Sequence, residues 1–109
     1  MSQYFPTEEE CGRHTIFKGV SIRTMACEKM MISLVDLKAH ALVEEHAHRH
    51  EQVGMVLEGQ VIFYIGDEHK TLKAGDLFRI PGEVRHKVVV LDTPAKVIDI
   101  FCPVREEYR

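Results

Sequence analysis

Nothing in this 109-residue sequence provides for a bilayer, a disulfide framework or a polyanion. No apolar stretch approaches the ~20 residues that span a membrane; runs such as Val88-Val89-Val90-Leu91 have the length of a strand. The first ten residues are acidic and lack the basic stretch and apolar run of a secretory signal, so none is expected. Cys11, Cys27 and Cys102 are odd in number, far apart and without CxxC spacing. That usage points to reduced thiols and a cytoplasmic location. The net charge is −3 and the Lys and Arg residues are scattered, which leaves no basic stripe to gather a phosphate backbone. Neither nucleic acid nor membrane is therefore an expected partner. No repeat or low-complexity linker marks a second unit. The expectation is a single domain over residues 1–109, large enough to bury roughly 60–68% of its unfolded surface without staples.

What is present is a series of short β-rich runs: Thr15–Val20, Ile22–Cys27, Met30–Lys38, Gln52–Leu57, Gln60–Ile65, Asp76–Ile80, Lys87–Leu91 and Ala95–Phe101. Turn residues punctuate them at Glu58-Gly59, Gly66-Asp67, Ala74-Gly75-Asp76, Pro81-Gly82 and Asp92-Thr93-Pro94. Strands at this regular spacing predict an all-β sandwich or barrel. A helical pattern is confined to Thr7–Cys11 and Arg105–Tyr108, both too short to organise a fold. Met25, Met30, Met31 and Met55 are expected to fill core or cavity.

The chemistry concentrates in His46-Ala47-His48-Arg49-His50-Glu51-Gln52 and a distant His86. Alternation along a strand would put His46 and His48 on one face. A curled or closed antiparallel sheet would then bring His86 to them. Imidazole nitrogen suits several divalent metals, and a Gln amide adds a neutral oxygen without cancelling their charge. His46, His48, Gln52 and His86 are thus the candidate ligands of one divalent metal ion such as Zn, Ni, Fe or Mn. His50 is expected at the surface or behind the ligands, with a place as substitute ligand as the alternative.

These residues resemble the cupins. The first cupin motif reads here as His46, His48, Gln52 in its Glu position, and Gly59; the second as Gly75-Asp76, Pro81-Gly82 and His86. Glu83 and Val90 stand where that motif has Gly and Asn. The resemblance implies a double-stranded β-helix, the jelly-roll barrel, with an N-terminal arm over 1–14 and a metal-binding barrel core over 40–102. Small cupins commonly pair, and the strands from Ile22 to Leu37 look too apolar for one barrel to bury, so a homodimer is expected.

The ending Asp99-Ile100-Phe101-Cys102-Pro103-Val104-Arg105-Glu106 is similar, together with His-x-His-x-His-x-Gln, to pectin-degradation cupins of the KdgF type. That likeness implies ring opening and ketonisation of a 4,5-unsaturated monouronate. Asp99 and Arg105 would be catalytic, and Phe101 and Arg105 would bind a carboxylate-bearing small molecule. The same residues leave open a dioxygenase using a redox metal, or a non-catalytic small-molecule sensor. They also leave open a structural Asp99, a core Phe101, and an Arg105 paired with Glu106 or Asp92 at the surface. His14, His40 and His69 lack partners at ligand spacing, and Glu44-Glu45 and Glu106-Glu107 read as solvated pairs.

Overall fold

Ten strands carry nearly all the regular structure of the computed structural model, which describes residues 2–109. They are β1 (Gly12–Phe17), β2 (Val20–Ala26), β3 (Met31–Leu37), β4 (Leu42–His46), β5 (Glu51–Glu58), β6 (Gln60–Ile65), β7 (Glu68–Lys73), β8 (Leu77–Ile80), β9 (His86–Val90) and β10 (Ala95–Cys102). Two single 3-10 turns, Glu8–Glu10 and Glu106–Tyr108, fall in the two segments with helical pattern. The strands form two antiparallel sheets, ordered β1-β2-β3-β10-β5-β8 and β4-β9-β6-β7. This is the expected all-β jelly-roll barrel.

Alternation decides which side chains go inside. In β2, Val20, Ile22 and Thr24 are buried while Ser21 is exposed; in β3, Met31, Ser33, Val35 and Leu37 are buried. Each fully buried aliphatic side chain contributes roughly 1.5–3 kcal/mol. Phe63 of β6 stacks on Phe78 of β8 with centroids 4.2 Å apart, which ties one sheet to the other. A bulge in β5 lets Lys96 pair with Glu58 and Val97 with Val56, leaving Leu57 as the extra residue. Beyond it Val97, Asp99 and Phe101 all face inward, and Asp99 lies opposite Ser33 of β3.

Several expectations need correcting. The first hairpin turns at Lys18-Gly19, where Gly19 has φ +78°, so the predicted Thr15–Val20 run is split between β1 and β2. β1 also takes in Gly12–His14, which shortens the arm expected over 1–14. β4 and β7 are absent from the predicted runs, and both are edges of the smaller sheet. An edge strand is held by one partner and needs little apolar alternation; in β7 only Leu72 is buried. Met25 and Met30 are 45% and 54% exposed rather than core, whereas Met31 is buried.

Candidate metal centre

The two His-bearing segments meet directly. His46, the last residue of β4, pairs with His86, the first residue of β9. Val43 pairs with Val88, so Glu44 and Glu45 together oppose Lys87 alone, and this bulge sets the face His46 takes. Plain alternation from Val43 would send His46 outward; the extra residue returns it to the cavity. His48 lies beyond the strand, in the bend that leads to β5. The expected alternation of His46 and His48 along one strand is therefore replaced by a bulge and a bend, which reach the same convergence. Ring centroids are 4.2 Å apart for His46 and His86, 4.9 Å for His48 and His86, and 5.6 Å for His46 and His48. One ring nitrogen from each lies within 4.8 Å of the others, close enough for the three to hold one metal ion.

All three rings are oriented by the same device. His46 Nδ1 lies 2.7 Å from the Glu44 carbonyl, His48 Nδ1 3.0 Å from that of His50, and His86 Nδ1 2.8 Å from that of Val84. A carbonyl only accepts, so each Nδ1 carries the proton and each Nε2 keeps its lone pair. His86 Nε2 is buried with no partner. His48 Nε2 lies 3.2 Å from Gln52 Oε1. With its Nδ1 proton given to the His50 carbonyl, His48 turns the Nε2 lone pair toward the Gln52 oxygen, so two acceptors face each other. Several acceptors converge without a donor. That donor set fits a divalent cation and is unfavourable without one.

Electrostatics point the same way. Burial pushes the His86 imidazole down to about 4, against an opposing hydrogen bond to Val84. It also lowers His48, aided by the Arg105 charge. Buried neutral imidazoles are ready to ligate. Burial has the opposite effect on Asp99, raising its carboxyl to about 7 while Gln52 and Arg105 pull it down. Its Oδ1 has no hydrogen-bond partner.

Asp99 and Phe101 face one cavity with His46, Gln52, His86 and Arg105, and its deeper wall is aliphatic. The cavity holds ≈ 50 Å³, roughly three or four waters. The Arg105 side chain is only 12% exposed, lies 5.3 Å from the Phe101 ring and 4.0 Å from that of Tyr108, and donates to Glu107 at 2.8 Å. Its partner is thus Glu107, not the anticipated Glu106 or Asp92, and Glu106 instead accepts from Arg109. Neither acid of the 106–107 pair is merely solvated. The Arg105 hydrogen bond holds the Glu107 carboxyl low.

His50 is 7% exposed with its Nδ1 unpartnered, and its ring stands 5.4 Å from His48 outside the converging three. It is buried beside the converging imidazoles rather than at the surface. His14, His40 and His69 lie elsewhere, against the Arg109 carbonyl, Asp92 and Tyr64 respectively. Two cavity residues escaped the sequence reading. Tyr108 stood three places after Arg105 in a segment with helical pattern, which was a usable signal. Ser33, in the middle of an apolar strand, gave none.

Against known proteins, residues 33–101 match the Cupin domain family. The pectin degradation protein KdgF of Dickeya dadantii (strain 3937) is 29% identical over 110 residues, covering 99% of both chains. An RmlC-like cupin from Shewanella frigidimarina NCIMB 400 superposes with a TM-score of 0.88 at 31% identity, over 99% of this chain and 97% of that one. KdgF from Halomonas sp. superposes with a TM-score of 0.84 at 28% identity, over 94% and 97%.

Proposed function

The chain belongs to the Cupin domain family, and from that premise we propose that it is a metal-dependent isomerase of a small anionic sugar, of which a 4,5-unsaturated monouronate is the specific candidate. His46, His48, Gln52 and His86 hold one divalent metal, and bound there it supplies Lewis acidity toward a substrate oxygen. Arg105 takes the substrate carboxylate. Its guanidinium is mostly buried and already stacked on Phe101 and Tyr108, so little conformational freedom remains to be lost on binding. Phe101 forms the adjoining wall.

Ring opening removes the proton of the hemiacetal hydroxyl and breaks the bond between the anomeric carbon and the ring oxygen, leaving an aldehyde and an enol. The enol then gains a proton on carbon and loses one from oxygen to become a ketone, with no net change in composition. Asp99 accepts and returns these protons. The observation that carries this reading is the Asp99 carboxyl itself, held near neutrality inside the cavity with one oxygen unpartnered. The likeness to two KdgF proteins supports the choice of substrate.

We also take residues 1–109 as one cupin domain, place the chain in the cytoplasm on its three free thiols, and expect it to pair with a second copy. The deciding experiment follows the ultraviolet absorbance of the C4=C5 enol ether of an unsaturated monouronate. Metal-loaded protein is expected to accelerate its decay far beyond the spontaneous rate, and Asp99→Asn to abolish the acceleration with metal content intact. A decay unchanged by metal-loaded wild type overturns the uronate assignment; full acceleration by Asp99→Asn overturns only the proton-transfer role.

A further inference from the structure

Ser33 is 1% exposed and its hydroxyl has no hydrogen-bond partner. A buried hydroxyl without a partner is less favourable than the alanine that would replace it. It is the direct cross-strand neighbour of Asp99, whose Oδ1 is likewise unpartnered, and both side chains line the cavity that holds His46, His86 and Arg105. The two groups do not satisfy each other. On Ser33's other flank, Thr24 Oγ1 is engaged, donating to the Tyr108 carbonyl at 2.5 Å. Apart from His86 Nε2, which belongs to the imidazole cluster, the unpartnered polar atoms lining this cavity are those of Ser33 and Asp99.

We infer that Ser33 and Asp99 form a hydroxyl-recognition subsite, which makes the preferred ligand a polyhydroxy carboxylate; this rests on the carboxylate role proposed for Arg105. A hydroxyl is the neutral group that donates and accepts at one atom. It can give its proton to Asp99 Oδ1 and accept the proton of Ser33 Oγ. A ketone could satisfy only Ser33. An ammonium would meet the positive field of Arg105, which also lines the cavity. Arg105 lies against Phe101, two residues further along β10 than Asp99, or about 7 Å along the strand. The recognised hydroxyl is accordingly several carbons from the carboxylate, not the one adjacent to it.

The test is a calorimetric titration of Zn²⁺-loaded protein with lactate, glycerate, threonate and gluconate. These share the carboxylate and 2-hydroxyl, so the contacts of those two groups are common to the series while distal hydroxyls are added one or more at a time, and the comparison with Ser33→Ala separates the subsite from any hydroxyl that reaches the metal. Wild type is expected to show a step of about tenfold in affinity where an added hydroxyl first reaches the subsite, and Ser33→Ala to lose that step while lactate binding stays the same. Ligand-free Ser33→Ala is expected to melt at or above the wild-type temperature, because an unpartnered hydroxyl has been removed. A series without a step, a step retained in Ser33→Ala, or a lower melting temperature for that variant overturns the inference. Binding does not depend on turnover. A Ser33-dependent step in a protein that leaves the uronate untouched therefore keeps the subsite and removes the reaction, and the converse pattern does the opposite.

Discussion

Each converging imidazole is fixed by one bond from Nδ1–H to a carbonyl two residues away, so the aim of its Nε2 depends on local chain geometry as much as on the ring. His48→Ala is expected to lower metal affinity by more than the ~10- to 100-fold that loss of an outer partner costs, and Gln52→Ala by less than His48→Ala, as read by metal analysis after dialysis against a chelator. Without metal, two buried groups oppose each other in pH. His86 titrates at about 4 in the fold against 6.5 ordinarily, so its contribution is lost as pH falls from 6.5 through 4. Asp99 titrates at about 7 against 3.8, so the fold is favoured while the acid is protonated and loses stability as pH rises from about 4 through 7. Chelator-treated wild type should therefore show a shallow profile between pH 4 and 7. Asp99→Asn should rise across the same window and exceed wild type at pH 7.5 by on the order of a few kcal/mol. Equal melting temperatures at pH 7.5 would contradict a buried, poorly compensated carboxylate. The convergence of His46, His48 and His86 was legible because ligand chemistry restricts the residue types to a short menu. Asp99 was legible because a carboxylate is conspicuous between Val97 and Phe101. Ser33 was not, since its significance depends on the strand opposite.

At the scale of elements, the site depends on irregularities more than on strands. The bulge at Glu44-Glu45 aims His46, and the 3-10 turn Glu106–Tyr108 follows Arg105 and brings Tyr108 against the cavity. That turn is pinned by the first hairpin: His14 Nε2 reaches the Arg109 carbonyl at 2.9 Å, and Thr24 Oγ1 the Tyr108 carbonyl. Gly12 makes the approach possible. A Cβ there would come within 2.5 Å of Thr24 Oγ1 and 2.7 Å of the Arg109 carbonyl carbon. Gly12→Ala is expected to cost about 1–3 kcal/mol and to weaken carboxylate binding while metal content stays unchanged, a combination that calorimetry and metal analysis together would read. Unaltered carboxylate affinity would show that the tail does not position Arg105. The interior strands β2, β3 and β10 were legible in the sequence because their alternation is apolar on the buried face. The edges β4 and β7 were not, because one hydrogen-bonded neighbour suffices to hold them, and neither bulge has a pattern that periodicity detects.

Across the whole molecule, the apolar surplus read over 22–37 divides between two faces. Ile22, Val35 and Leu37 enter the core. Met25, Ile32, Ile100 and Val53 form one cross-strand row on the outer face of the larger sheet, and Leu34, Ile98, Met55 and Leu77 the next. Met25, Ile32, Val53 and Leu77 are between 37% and 74% exposed, so this face carries a contiguous apolar patch of the kind that seats a second copy. Light scattering should report a dimer for wild type and a monomer for Ile32→Glu, with metal content equal in both; a wild-type monomer at micromolar concentration would refute the pairing. The contact between Gly12 and Arg109 carries one last consequence, for chain connectivity. A short linker from residue 109 to residue 12 would close the backbone into a ring with little rearrangement, because the two already touch. New ends could then be opened between Asp92 and Thr93, in an exposed turn at the end of β10 away from Asp99 and Phe101. Such a circular permutant should fold and bind metal like its parent, since the site is assembled by sheet pairing and by that contact rather than by the order in which the strands are joined.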